Sequence, residues 1–172
     1  MLGNIIGGSE TLSYDVVQND KTGPTLYDDA GKNVVDTKKQ TLQGFVDFGD
    51  IKETDKQAPE LATTVVAHFL YEGQRLAAGA PFTGDHTRGF SSLEGGAHLN
   101  ALVYETKIMS EYTGQNEKLA ERRDDPKTGT INFIYTSVQY DMTLKSTSTN
   151  ATAIDKITKT VPMRKPQWPP GN

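Results

Sequence analysis

The chain has 172 residues, enough for one domain with a sizeable core and too few for two large domains. The net charge is −4, so the chain lacks the basic excess with which nucleic-acid-binding proteins contact phosphates. It contains no cysteine, which excludes a disulfide scaffold, an iron–sulfur site and a thiol nucleophile.

Two targeting features are also missing from the sequence. No stretch approaches the roughly 20 apolar residues that span a bilayer. Residues 1–8 lack the basic start and the long apolar run of a signal peptide. We therefore expect a protein of the cytoplasm, or one exported by a dedicated secretion system.

The first third of the chain predicts β structure. Residues 11–17 alternate apolar and polar side chains, and turn-forming residues fill 19–24. Residues 25–35 have the pattern of a hairpin around a glycine-containing loop, and residues 41–48 form a further short strand. We expect a small antiparallel sheet over residues 10–51.

A first central helix is predicted from Glu60 to about Ala78, after Pro59, which suits a first helical turn. His68 and Glu72 are placed on the flank of its apolar stripe. That stripe consists of Ala62, Val66, Phe69, Leu70, Gly73, Leu76 and Ala77.

A second central helix is predicted from Ala97 to Tyr112, between a glycine pair and Thr113-Gly114. Helical spacing puts seven of its residues on one face. They are His98, Ala101, Leu102, Glu105, Ile108, Met109 and Tyr112.

The last third predicts a return to strands. Residues 115–124 are highly charged and predict a short solvated helix, and residues 125–129 form a turn. Residues 130–144 are rich in β-branched and aromatic side chains, and residues 153–161 are expected to pair back as a hairpin partner.

The predicted class is α+β, with N-terminal antiparallel strands, two central helices and a C-terminal β hairpin. We expect residues 1–161 to form a single domain. Four prolines predict an extended tail over residues 162–172, in which Trp168 docks on the domain or contacts a partner.

The histidines carry the functional prediction. His68 and Glu72 are four residues apart, the spacing at which one helix offers two ligands to one metal ion. His98 or Glu105 on the second helix, or His86 on the intervening loop, can supply a third ligand. Our candidate zinc ligands are His68, Glu72 and His98, and our candidate catalytic carboxylates are Glu72 and Glu105.

Two interpretations without a metal stay open. A helical His and Glu at this spacing also form a simple hydrogen-bonded pair, with His98 as a half-buried core residue. Alternatively, His68, His86 and the neighbouring glutamates perform acid–base chemistry unaided.

Three segments resemble the zincin-type metallopeptidase toxin domains found at the C-termini of Rhs-like polymorphic toxins and in some injected bacterial effectors. They are the glycine-rich lead and strand of residues 7–15, the apolar run and helix of residues 65–72, and the second helix around residues 101–111. The resemblance implies an α+β fold, a zinc ion held by an HExxH-type helix and the hydrolysis of a protein substrate.

The chain departs from that motif at two positions. Phe69 stands where the family has its general-base glutamate, and Glu72 stands where it has its second histidine. Another carboxylate, Glu94 or Glu105, would then have to take the proton. The sequence therefore predicts a zinc-dependent peptidase or a catalytically degenerate relative.

The alternative prediction is a non-enzymatic structural or binding module of a phage-like or secretion assembly. The strand-rich flanks and the proline-rich tail suit such a module. Its partner would be another assembly component, whereas the enzyme would act on a protein substrate. Neither prediction involves nucleic acid or a membrane span.

Overall fold

The structure is a computed structural model, and its elements occur in the order of an α+β domain. It describes residues 8–17, 34–82, 96–125, 128–146 and 152–161. Three strands come first, then three helices, then four strands. The predicted class is thereby confirmed. None of the helices within these ranges is long and apolar enough to cross a membrane.

The N-terminal sheet contains β1 (Thr11–Val17), β2 (Val34–Asp36) and β3 (Thr41–Asp47), in the order β1-β3-β2. β2 is antiparallel to β3, but β1 runs parallel to it, with Thr11 opposite Thr41. The sheet is therefore mixed, and the expectation of antiparallel pairing was wrong for β1. Parallel neighbours need a crossover of a dozen or more residues, and residues 18–40 provide that length.

The first helix, α1 (Phe48–Gln57), was not predicted, because the β prediction extended to residue 51. Asp47 ends β3 and caps the helix, since its carboxylate accepts hydrogen bonds from the N–H groups of Gly49 (2.8 Å) and Asp50 (3.3 Å). α1 ends at Gln57, and Ala58, which follows it, has non-helical backbone because it precedes a proline.

Side chains of α1 cover part of the edge of the C-terminal sheet. The Gln57 side-chain oxygen accepts a hydrogen bond from the Ile157 N–H at 2.8 Å, and the Asp50 carboxylate accepts one from the Ile154 N–H. Both donors lie on the last strand, β7 (Thr152–Thr160). These contacts attach α1 to that strand.

The central helix α2 (Pro59–Ala77) begins and ends within one residue of the prediction, and Pro59 occupies its first turn. Its burial differs from the predicted stripe. Leu61, Val65 and Phe69 face the main core, while His68 and Glu72 are also buried rather than lying at the flank. α2 is covered on more than one side because α3 (Ala97–Thr113) packs along it.

α3 also matches its prediction, ending one residue later than expected. Gly114 closes it in the left-handed conformation (φ 67°), which glycine adopts at the ends of many helices. Tyr112, predicted on the inner face, is exposed instead. His98, Ala101 and Glu105 are buried on that face as expected.

The charged segment after α3 is a strand rather than the predicted solvated helix. β4 (Leu119–Asp125) pairs antiparallel with β5 (Thr130–Tyr135) across the predicted turn, where Gly129 has φ 66°. Residues 126–127 of that turn lie outside the described residues. Pairing with a neighbouring strand overrides the weak helical preference of a charged run.

β6 (Gln139–Ser146) and β7 complete a four-stranded antiparallel sheet in the order β4-β5-β6-β7. The predicted hairpin partner is confirmed as β7. The inner face of this sheet packs against α2 and α3 in one core cluster. Its buried members on the strands are Ile131, Phe133, Tyr135, Tyr140, Met142 and Ile154, and Val138 joins them from the turn between β5 and β6.

Several predicted features lie outside the described residues. These are the turn at 19–24, most of the hairpin at 25–35, the loop residues 83–95 and the tail from residue 162, including Trp168.

Candidate metal centre

Two neighbouring helices bring four ionisable side chains together in the interior. α2 supplies His68 and Glu72, one turn apart, and α3 supplies His98 and Glu105. The residues are 6%, 4%, 2% and 0% exposed, respectively. The structure thus brings the three candidate zinc ligands and the candidate catalytic residue Glu105 into one cluster.

Three of these side chains converge on one point. The His98 Nδ1 lies 2.6 Å from Glu72 Oε2, and the His68 Nε2 lies 3.2 Å from His98 Nδ1 and 3.3 Å from Glu72 Oε2. Zinc bonds of 2.0–2.1 Å in a tetrahedron place ligand atoms about 3.3 Å apart. Two of the three separations have this value, and the third is a short hydrogen bond from an imidazole N–H to the carboxylate. His68, Glu72 and His98 form a buried group that could bind a metal ion.

Glu105 lies behind His68 rather than at the common point. Its Oε2 is 2.8 Å from His68 Nδ1, which donates its proton to the carboxylate. The other oxygen, Oε1, accepts a hydrogen bond from the Tyr135 hydroxyl at 2.7 Å. Metal-bound histidines commonly donate their second ring N–H to a carboxylate in this way.

Tyr135 was not among the predicted site residues. It lies at the end of β5, far along the chain from both helices, and no local spacing links it to His68 or Glu105. A strand position with a tyrosine ring predicts core packing, which Tyr135 also provides.

The electrostatics of the cluster keep Glu72 ionised. Burial alone would raise the pKa of Glu72, but hydrogen bonds from His68 and His98 outweigh it and lower the pKa to about 2. Burial alone would lower the pKa of His68, yet hydrogen bonds to Glu105 and Glu72 raise it above its ordinary value. Protonation of His68 and binding of a metal ion to this group would therefore compete.

The His68 and His98 rings are close enough to share an ion. Their centroids lie 4.8 Å apart with the rings edge to face, and the Phe82 ring lies 5.6 Å from that of His98. The Ala97 N–H also donates to the Pro81 carbonyl at 2.9 Å, so both ends of the intervening loop lie beside the cluster.

The remaining candidate residues of the loop lie outside the described residues: Asp85, His86 and Glu94. The sequence left His98, Glu105 and His86 open as the third ligand. The structure brings His98 to the point where His68 and Glu72 meet.

Phe69, at the position of the motif's general base, belongs to the core. Its ring packs edge to face against Tyr14 at 5.5 Å, within the cluster that includes Leu61 and Val65. Because position 69 of α2 faces the core, an apolar side chain such as phenylalanine is expected there.

Comparison with protein-family models, with curated proteins and with solved structures finds no match to this chain.

Proposed function

We propose that this chain is a zinc-dependent hydrolase domain of the zincin-like kind, in which His68, Glu72 and His98 bind one zinc ion. The observation that carries the proposal is the convergence of His68 Nε2, His98 Nδ1 and Glu72 Oε2 within 3.3 Å of one another. The carboxylate behind His68 supports it, because that contact fixes the ring with one nitrogen toward the ion.

The ligand types favour zinc over magnesium and calcium. Magnesium and calcium prefer oxygen ligands, whereas two imidazoles and one carboxylate are a typical zinc set. Structural zinc sites are usually built with cysteine, which this chain lacks altogether. Two histidines and one glutamate are one of the ligand sets of catalytic zinc sites, which keep a fourth position for water or substrate.

Bound zinc supplies Lewis-acid chemistry, since it polarises a carbonyl group and makes water nucleophilic near neutral pH. The residues of this chain hold the ion and manage the proton. Glu105 holds His68 from behind, and Phe69 contributes no carboxylate. Among the residues that the structure describes, the carboxylate left for proton transfer is that of Glu72, which lies at the common point. A carboxylate that also binds the ion is a weak base, so we expect slow hydrolysis of a protein substrate.

Metal content tests the first half of the proposal. The full chain, dialysed against zinc and then against buffer, is expected to retain about one zinc per chain in elemental analysis. His68→Ala and His98→Ala should lose it, whereas Thr63→Ala, an exposed substitution on α2, should keep it. A buried histidine can be needed for folding. Circular dichroism therefore checks that each variant is folded, and the rise in Tm of the wild type on adding zinc checks binding independently. A wild type without zinc contradicts the proposal.

Hydrolysis tests the second half. Cleavage of an unfolded protein substrate should stop when a chelator removes zinc and return when zinc is added back. Retained zinc without cleavage would favour the second candidate, a catalytically degenerate relative that binds the ion but does not hydrolyse a substrate. The packing of Phe69 in the core is the observation that favours this second candidate.

A further inference from the structure

Tyr135 is a buried tyrosine whose hydroxyl group points toward the candidate metal centre. It lies at the C-terminal end of β5 and is 1% exposed. Its hydroxyl donates to Glu105 Oε1 at 2.7 Å, and Glu105 is completely buried. A buried tyrosine usually finds a polar partner, but here that partner is the carboxylate that holds a candidate ligand.

The contact completes a chain of hydrogen bonds from the C-terminal sheet to the common point. It runs from the Tyr135 hydroxyl to the Glu105 carboxylate, and from there over 2.8 Å to His68 Nδ1. The opposite nitrogen of that ring, Nε2, faces Glu72 and His98. Three elements, β5, α3 and α2, thus determine where one imidazole points.

Each oxygen of the Glu105 carboxylate has its own hydrogen-bond partner, so Tyr135 helps to fix the orientation of that carboxylate. With Oε2 on His68 and Oε1 on Tyr135, the carboxylate is held in a single orientation. Without the Tyr135 hydroxyl, the carboxylate could rotate about its last side-chain bond, and the His68 ring could turn with it. A misdirected ligand nitrogen weakens metal binding.

We infer that Tyr135 is a positioning residue of the metal centre, acting on zinc affinity through Glu105 and His68. This inference rests on the proposed function, because it requires that His68 binds zinc. It adds a residue from the C-terminal sheet to a site otherwise built from two helices.

The chain offers a matched control for removing the hydroxyl. Tyr140 is a neighbouring buried tyrosine on the same sheet, with its ring 6.5 Å from that of Tyr135. Its hydroxyl donates to Glu60 Oε1 at 2.6 Å, a carboxylate that is not part of the metal centre. Tyr135→Phe and Tyr140→Phe therefore each remove one buried tyrosine–glutamate hydrogen bond, and only the first removes one that leads to His68.

Zinc affinity of the full chain, measured by competition with a chelator, is the first readout. We expect the zinc Kd to rise about 5–10-fold in Tyr135→Phe, less than the 10–100-fold typical of losing a direct partner of a ligand. Tyr140→Phe should change it less than about twofold. Nuclear magnetic resonance gives the second readout, since the His68 Nδ1 proton should exchange with water faster in Tyr135→Phe alone.

A second variant guards against a folding defect in Tyr135→Phe. Glu105→Asp keeps the charge but shortens the side chain by one methylene, so it cannot contact His68 and Tyr135 together at the present distances. It should raise the zinc Kd in the same direction. If Tyr135→Phe matches Tyr140→Phe in both readouts while the wild type binds zinc, the inference is overturned and the proposed function stands. If the wild type binds no zinc, both are overturned.

Discussion

Asp50 provides a test of the structure that does not depend on the metal. It is 2% exposed, and its Oδ2 has no hydrogen-bond partner among the described residues. Burial, followed by the nearby Asp47 carboxylate, raises its pKa from 3.8 to about 7 despite the hydrogen bond from the Ile154 N–H. Near neutral pH this carboxyl group is therefore still partly protonated in the folded chain.

The sign of the pH dependence follows from linkage. The folded chain holds the Asp50 proton more tightly than the unfolded chain, so the free energy of unfolding falls as pH rises from about 4 to 7. One such group changes stability by at most about 1.4 kcal/mol per pH unit, or about 2.7 kcal/mol between pH 5 and 7. Local relaxation and entry of water around the ionised group reduce this, so we expect about 1–2 kcal/mol.

The measurement is urea unfolding of the metal-free protein at pH 5, 6, 7 and 8. Asp50→Asn keeps a carbonyl acceptor for Ile154 but cannot ionise, so its stability should fall less with pH than that of the wild type. The difference between the two isolates Asp50 from His68, whose raised pKa also makes stability fall as pH rises. Asp55→Asn, an exposed change on the same helix, is the control. Equal pH slopes for wild type and Asp50→Asn would refute the assignment of a buried, largely unpaired carboxyl group.

Two further predictions concern the candidate centre. Glu105→Gln removes the negative charge behind His68. Zinc affinity, measured by competition with a chelator, should therefore fall about 10–100-fold. An unchanged affinity would contradict the proposal that Glu105 orients His68 for zinc binding. Phe69→Glu introduces a carboxylate at the position where an HExxH motif has its glutamate, but it places a charge in the core, so the free energy of unfolding at pH 7 should drop by about 3 kcal/mol or more without faster hydrolysis. Faster cleavage by a stable Phe69→Glu variant would show that position 69 faces the centre rather than the core.

The sequence predicted the helical part of the site because that information is local. A run of residues at helical spacing, bounded by Pro59 and by Gly114, defines α2 and α3 closely. The four-residue separation of His68 and Glu72 places both on one side of α2 wherever that helix lies in the fold. Helical spacing also put His98 on the inner face of α3, and the structure brings it to that pair.

The elements that were missed depend on non-local contacts. β4 is a charged strand because β5 lies beside it, and β1 has a parallel neighbour because β3, not β2, lies beside it. Neither neighbour can be read from the strand's own residues. The capping carboxylate of Asp47 was the available local signal for α1, but the preceding strand pattern masked it.

Tyr135 and Glu105 illustrate the same limit within the site. Helical spacing put Glu105 on the correct face of α3 but could not say that it would lie behind His68. The position of Tyr135 beside Glu105 follows from how the C-terminal sheet packs on the helices, which no sequence separation encodes.

The hydrogen bonds from Ile154 and Ile157 to side chains of α1 have a consequence for association between molecules. A strand at the rim of a sheet offers its backbone N–H and C=O groups as a template to any extended segment that comes near. Asp50 and Gln57 already take up the N–H groups of those two isoleucines, so an incoming chain finds these donors occupied. The side chains of α1 therefore oppose the pairing of a strand from another molecule with this part of β7. Such pairing is a route to aggregation, which α1 disfavours at this edge.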